Sequence, residues 1–399
     1  MNVFVINSGS SSIKYQLIRM PEGEVVCSGI IDRIGQAGST IKHKTFLLGK
    51  EKVHTMQIDI ADHAAGLSQV ARLLIDPVIG VIKSPDEIQV VGHRVVHGGE
   101  SFSKTMVITN DVKEKIKQLF PLAPLHNPPN YLGIEVAEKI FPKAKQVAVF
   151  DTAFHQTMPP VSYRMAIPKE FYDKYQIRAY GFHGTSHKYV SESATAYLKK
   201  KESRIITVHL GNGCSMAAIK NGQCVDTTMG LGPMNGLMMG TRAGDIDQSI
   251  IFHMVNQLGL SLDSVNNILN KKSGMLGLTG LNDMRDVKAE YKKGNKDAIL
   301  AYEMYAYRIK KYIGAYMAVL NGLDALVFTA GVGENDELTR ELSTKGMDQL
   351  GIQLDEKKNG AGGNGIYEIN KEDADIKILV VPTNEEQEIA DQCYKLLFS

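Results

Sequence analysis

The chain has 399 residues, 43% of them hydrophobic, which is enough for two or three domains of about 150 residues each. Its 45 basic and 44 acidic side chains leave a net charge of +1, so there is no electrostatic case for a nucleic-acid or anionic-membrane surface. No run of about 18 apolar residues occurs and Met1 to Lys14 lacks both a basic start and a long apolar centre, so neither a membrane span nor a signal peptide is expected.

The cysteines stand at 27, 214, 224 and 393 without a Cys-x-x-Cys pair. They read as buried thiols of a reducing compartment, not as a disulfide frame or a zinc site. The N-terminal elements read as strand Val3–Ile6, turn Asn7-Ser8-Gly9-Ser10-Ser11-Ser12, then strands Lys14–Ile18 and Val25–Ile31. The order returns near the middle of the chain as Ile205–His209, the turn Gly211-Asn212-Gly213, Ser215–Ile219 and Gln223–Thr227, with Asn221-Gly222 as a hairpin signal. Such a repeat suggests an internally duplicated architecture.

Apolar residues at helical spacing mark Asp111–Phe120, Asn130–Phe141, Thr185–Lys200, Asp245–Leu258 and Asp297–Leu320. Strands at Gln146–Phe150, Ala325–Thr329 and Ile376–Val381 precede several helices, which indicates α/β layers. Thr383-Asn384-Glu385-Glu386 reads as a capping box opening a last helix, Asn384–Leu397. The repeat places a domain boundary near Asp151.

The glycine clusters carry the chemistry. Small hydroxyl residues from Asn7 to Ser12 let backbone N–H groups converge on an anion, and Lys14 adds charge. His209-Leu210-Gly211-Asn212-Gly213 holds the equivalent place in the second copy, so the two hairpins would pinch a polyphosphate. Ala330-Gly331-Val332-Gly333-Glu334-Asn335 sets bare backbone against a ligand at a helix N-terminus. No Walker A motif is present. Gly360-Ala361-Gly362-Gly363-Asn364-Gly365 matches Gly-x-Gly-x-x-Gly, but no helix is expected after it, so it reads as a loop and not a dinucleotide site.

Gly92-His93-Arg94-Val95-Val96-His97-Gly98-Gly99 follows an expected strand at Ile88–Val91. Its arginine suits a carboxylate or phosphate, whereas its histidines face no common direction for a metal. Asp151 ends an apolar strand, the place where ligands gather in α/β sheets. His183 precedes a helix, and Arg242 lies between glycines as a candidate phosphoryl clamp. Asp245 and Asn282 read as helix N-caps. Glu385, in the first turn of the last helix, remains available for a metal.

These motifs resemble the acetate and sugar kinase, heat-shock chaperone and actin superfamily. Asn7 to Ser12, Gly92 to Gly99, Gly181-Phe182-His183-Gly184-Thr185-Ser186-His187 and Gly240-Thr241-Arg242-Ala243-Gly244-Asp245 are similar to the signatures of its acetokinase (acetate kinase) family, from Asn7 to Glu386. The resemblance implies an α/β fold of two duplicated actin-like (ribonuclease H-like) domains flanking an interdomain cleft. The expected domains are 1–150 plus 386–399, the terminal helix returning to the first, and a nucleotide-binding 151–385.

It also implies reversible Mg²⁺-dependent transfer of the ATP γ-phosphoryl group to acetate, giving acetyl phosphate and ADP, with Mn²⁺ as an alternative metal. Asp151, His183, Arg242 and Arg94 would be catalytic. Arg94, Val96, Leu125, Phe182 and Pro233 would bind acetate. Lys14, Ser12, His209, Leu210, Gly211, Asn212, Gly213, Asp283, Met284, Arg285, Gly331, Val332, Gly333, Glu334 and Asn335 would bind ATP. Asn7 and Glu385 match the magnesium positions, and Met284 stands where the family pattern leads one to expect an aromatic residue. Members are cytoplasmic homodimers.

An acceptor carboxylate is already ionised at pH 7, so Asp151 is expected to orient other groups or reach the metal through water, not to act as a base. The rival readings are a propionate kinase, which Val96 would disfavour by narrowing the pocket, and a non-enzymatic ATP switch.

Overall fold

The structure, a computed structural model, describes residues 1–9, 11–47 and 49–398, so Ser10 of the first glycine turn lies outside the described residues. The chain divides into two compact units, Met1–Phe154 with Asn384–Ser399, and His155–Thr383.

The first unit is built on the strands β1 (Asn2–Ser8), β2 (Ser12–Arg19), β3 (Glu24–Asp32), β4 (Thr40–Leu47), β5 (Lys50–Gln57), β6 (Val90–Val95), β7 (Met106–Val107) and β8 (Lys145–Phe150). They form one mixed sheet in the order β5-β4-β3-β2-β1-β6-β8-β7. The period-2 alternation of β1 explains its central place. Phe4 and Ile6 enter a core with Leu67 and Val70 of helix His63–Leu74 and Ala137 of helix Asn127–Ile140. Val3 and Val5 enter a second core with Ile389, Ala390 and Cys393 of the last helix, Glu385–Phe398. A strand apolar on both faces requires cover on both. On the neighbouring β6, a Cβ at Gly92 would lie 2.9 Å from both Cys393 Sγ and Ile389 Cγ2, so this glycine allows the last helix its close seat.

The second unit carries β9 (Arg204–Leu210), β10 (Cys214–Lys220), β11 (Gln223–Thr227), β12 (Ala325–Thr329), β13 (Tyr367–Glu368) and β14 (Lys377–Val380), in the order β11-β10-β9-β12-β14-β13. In β3-β2-β1-β6-β8 and again in β11-β10-β9-β12-β14, three antiparallel strands are followed by two strands parallel to the third. This repeated order is the actin-like duplication. Asn221 and Gly222, at φ 52° and 77°, close the hairpin of β10 and β11 as a primed turn requires.

Several local expectations are corrected. The β4–β5 hairpin has no counterpart in the sequence reading, because its strands alternate polar residues with few apolar ones. Strand β6 runs on through Arg94 to Val95 instead of ending at Val91. The helix expected from Asp245 begins at Ser249, with Gln248 before it. Asp245 is not its cap, since its carboxylate accepts from the Gly236 N–H at 2.7 Å and from the Tyr312 hydroxyl. Asp283, not Asn282, caps helix Met284–Lys292. Asn384 caps the last helix through the Gln387 N–H at 3.0 Å, while the Thr383 hydroxyl is 2.8 Å from that of Ser186. Gly360 and Ala361 belong to a helical turn, Glu356–Ala361, and not to a loop.

Candidate active site

In the first unit, Asn7, Arg94 and Asp151 stand at the carboxyl ends of the adjacent parallel strands β1, β6 and β8. Strand pairing therefore brings together three polar residues far apart in sequence, where an open α/β sheet collects its ligands. Arg94 donates from Nε to Asp151 Oδ2 at 2.9 Å, from Nη2 to the same oxygen, and from Nη1 to Asn7 Oδ1 at 3.1 Å. Glu385 Oε2 lies 3.9 Å from Arg94 Nε. Burial opposes the charge of Arg94, but Asp151 and then Glu385 outweigh it and hold the guanidinium above the usual arginine value. The Glu385 carboxyl is pushed up, first by burial and then by Asp151 and Glu386, against the pull of Arg94 and Lys14.

Two buried amides position this cluster, and the sequence reading missed both. Asn130 accepts the Val96 N–H at 3.1 Å and donates to the Ser8 carbonyl at 2.7 Å, tying the ends of β1 and β6 together. Asn127 accepts the His97 N–H at 3.0 Å and donates to the His97 carbonyl at 3.0 Å. The usable signal was the pair of amides in Asn127-Pro128-Pro129-Asn130 at a helix start, where exposed caps are commoner than buried clamps. His93 is 2.8 Å from the Gln146 amide oxygen, and Nδ1 of His97 accepts the Gly99 N–H at 3.0 Å. Val96 is buried, Leu125 is exposed, and Lys14 is exposed on β2. Ser12 closes the first glycine turn by accepting the Gly9 N–H at 2.8 Å.

In the second unit, His183 precedes helix Gly184–Leu198 in the left-handed region, φ 56°, a strained conformation for a side chain with a Cβ. Its ring stacks on His209, centroids 4.2 Å apart, and its Nδ1 is 2.8 Å from the Ser215 hydroxyl. A Cβ at Gly213 would lie 2.9 Å from Arg242 Nη2 and 3.4 Å from His183 Nε2, so a glycine there lets both groups converge on bare backbone. Arg242 donates from Nη1 to the Pro233 carbonyl, and burial pulls its pKa below the usual arginine value. Phe182 is buried, and its carbonyl is 2.9 Å from His155 Nε2.

A cavity of about 770 Å³ opens beside these groups in the same unit. Of the residues expected to meet ATP, Gly211, Asn212, Asp283, Met284, Arg285, Gly331, Val332 and Asn335 line it. Ser12, Lys14, His209, Leu210, Gly213, Gly333 and Glu334 do not, and the Leu210 side chain is buried in the core. Lys288, Tyr305 and Asp336 line the cavity and were missed. Lys288 pairs with Asp336 Oδ1 at 2.8 Å and Glu337 at 2.7 Å. Lys288 and Tyr305, on helices patterned for surface and core, and Asp336, at the junction of two helices, give no sequence signal. Asp283 is held down to about 2 by the side chain and backbone N–H of Arg285. The cavity is of the size that takes a drug-sized or nucleotide ligand.

An α/β chain that states one sheet topology twice and keeps its charged groups at strand ends has the build of an actin-like phosphotransferase. The chain belongs to the acetokinase family, whose model matches residues 2–391. It is 58% identical over 397 residues to an acetate kinase of Flavobacterium johnsoniae, with 100% of each chain covered. It is 50% identical to an acetate kinase of Syntrophomonas wolfei, over 99% of this chain and 100% of that one. Among solved structures it superposes on the Porphyromonas gingivalis acetate kinase with a TM-score of 0.93, 45% identity and 99% coverage of both chains. A propionate kinase from Francisella tularensis matches with a TM-score of 0.91 and 41% identity over 98% of each chain.

Proposed function

We propose that this chain transfers the γ-phosphoryl group of ATP to acetate, reversibly and by direct in-line displacement, giving acetyl phosphate and ADP. The observation that carries the reading is the fixed guanidinium of Arg94. An arginine presents five N–H bonds. Asp151 and Asn7 take three of them, which leaves one on each Nη for the two oxygens of an acceptor carboxylate. The acceptor arrives ionised, so no proton has to leave it and Asp151 serves to aim Arg94.

The 770 Å³ cavity takes the nucleotide, its phosphates meeting the bare backbone of Gly211 to Gly213. Arg242 and His183 donate to the oxygens of the phosphoryl group in flight. In such transfers positioning and charge neutralisation supply most of the acceleration. The donor set suits Mg²⁺. Asn7 and Glu385 offer oxygen atoms to a metal, and a hard cation would offset the burial, and after it the repulsion from Asp151 and Glu386, that lifts the Glu385 carboxyl. Among the described residues no group of three or more His, Cys, Asp or Glu forms a cage for a metal. An ion held by Asn7 and Glu385 would supply charge neutralisation to the nucleotide phosphates.

Four buried free thiols support a cytoplasmic setting. Exposed Ile250 and Phe252 on helix Ser249–Asn256, with nearby Leu258 and Leu262, support a homodimer, which light scattering on the purified chain tests. Trapping acyl phosphate with hydroxylamine tests the activity itself, with ATP–Mg²⁺ and acetate, propionate, butyrate or glycerol in turn. Acetate is expected to lead propionate by about 1–3 kcal/mol in kcat/KM, since one methylene is worth no more. Product from glycerol, or none from acetate, contradicts the reading.

A further inference from the structure

Two hydroxyl groups thread between histidines in the core of the second unit. The Ser215 hydroxyl on β10 is 2.8 Å from His183 Nδ1 and 2.8 Å from His187 Nε2. His187 Nδ1 is 2.7 Å from the Thr207 hydroxyl on β9. Ser215, His187 and Thr207 are all fully buried. We infer that this chain of hydrogen bonds fixes the ring proton of His183 on Nε2, which makes Ser215 and His187 positioning residues for phosphoryl transfer. The inference rests on the role proposed above for His183.

The direction follows from the far end. Among the described residues, His187 Nδ1 is the one hydrogen-bond partner of the Thr207 hydroxyl. Were His187 to donate there, the Thr207 O–H would be buried without an acceptor, which costs the full desolvation of that donor. Thr207 therefore donates and Nδ1 accepts. Burial, with His155 and His209 alongside, drives the titration of His187 well below the usual histidine value, so its ring is neutral and holds its single proton on Nε2. That N–H donates to Ser215 Oγ, and the Ser215 proton goes to His183 Nδ1. A neutral His183 that accepts at Nδ1 has its own proton on Nε2.

Nε2 is also the nitrogen that lies with Arg242 Nη2 beside Gly213. A ring that accepts at Nδ1 thus presents a donor on the side where Arg242 presents its own. With the proton on Nδ1, it would instead aim a lone pair at a phosphoryl oxygen, and the preorganised donor would be lost. Stacking on His209 holds the plane of the ring.

Long-range ¹H–¹⁵N NMR on the full chain labelled at histidine reads the tautomer directly, with His183 assigned by comparison with His183→Gln. Wild type is expected to show His183 as the Nε2–H form near neutral pH. A proton on Nδ1 overturns the inference. Ser215→Ala is expected to give mixed tautomers and a kcat lower by about tenfold or more, with KM for ATP and acetate within about twofold. Ser215→Thr restores the hydroxyl and is expected to recover kcat, with thermal denaturation confirming that each variant folds. If folded Ser215→Ala keeps its tautomer and kcat while His183→Ala abolishes turnover, the inference fails and the role of His183 stands. If His183→Ala itself turns over normally, it is the functional reading that fails.

Discussion

Arg94 and Asp151 face each other across parallel strands. The Asp151 N–H donates to the Val95 carbonyl at 3.0 Å, and Arg94 Nε donates to Asp151 Oδ2 at 2.9 Å. The backbone pairing of β6 with the end of β8 thus sets the aim of the guanidinium. Arg94→Ala is expected to lower kcat/KM for acetate by about 10²–10³, on the order of 2.7–4 kcal/mol, the loss typical of a preorganised donor. Asp151→Asn keeps the shape but loosens the hold on Arg94, so the KM for acetate should rise with the KM for ATP little changed. Steady-state kinetics with each substrate varied check both, and near wild-type kcat/KM in Arg94→Ala would remove Arg94 from the mechanism.

Gly213 is a steric prediction. A Cβ there meets Arg242 Nη2 at 2.9 Å and His183 Nε2 at 3.4 Å, and a 1 Å displacement near the chemistry can cost about 100-fold in rate. Gly213→Ala is therefore expected to lose at least about tenfold in kcat while its unfolding midpoint stays close to wild type. Unchanged kcat would mean that the two donors do not work at that spot.

Much of this was legible from the chain because apolar period and turn chemistry are local. Phe4 and Ile6 against Val3 and Val5, the Asn221-Gly222 hairpin and strand Ala325–Thr329 all follow from neighbours in sequence. Partners supplied from far away were not legible. Arg94 sits inside β6, yet Gly92 and His93 made the strand appear to stop, since their burial depends on Cys393, Ile389 and Gln146. Asp245 looks like a cap until Tyr312 takes its carboxylate from 67 residues away. Lys288, on helix Met284–Lys292, and Asp336, just before helix Glu337–Thr344, gain meaning only when the fold brings them to one cavity.

Gly92 should control stability without touching any ligand. Gly92→Ala is expected to cost about 1–3 kcal/mol by overpacking against Cys393 Sγ and Ile389 Cγ2. Removing the sulfur in Gly92→Ala/Cys393→Ala should return part of that loss, so the two changes are non-additive. Urea unfolding of the four proteins in the cycle measures it, and strict additivity contradicts the packing argument.

Stability should also fall in mild acid. His43, His93 and His97 of the first unit are each pulled down to about 4, in every case chiefly by burial. Unfolded, the same imidazoles take up protons as pH falls through about 6.5. Between those values the unfolded state binds more protons at these three sites, so their contribution to stability declines as pH drops from about 6.5 toward 4 and is level above, by up to about 1.4 kcal/mol per histidine per pH unit. Asp226, whose carboxyl burial raises to about 6, contributes in the opposite direction. Unfolding at pH 5 should take up protons, and His93→Gln should take up about one fewer. Equal uptake in both proteins would refute this.

The most direct test of the central claim is the stereochemistry at phosphorus, measured with ATP made chiral at the γ-phosphoryl group by oxygen isotopes and acetate as acceptor. One in-line displacement, with Arg94 on the acceptor and Arg242 and His183 on the phosphoryl oxygens, gives acetyl phosphate of inverted configuration. Retention would mean two displacements through a phosphorylated enzyme and would contradict the account.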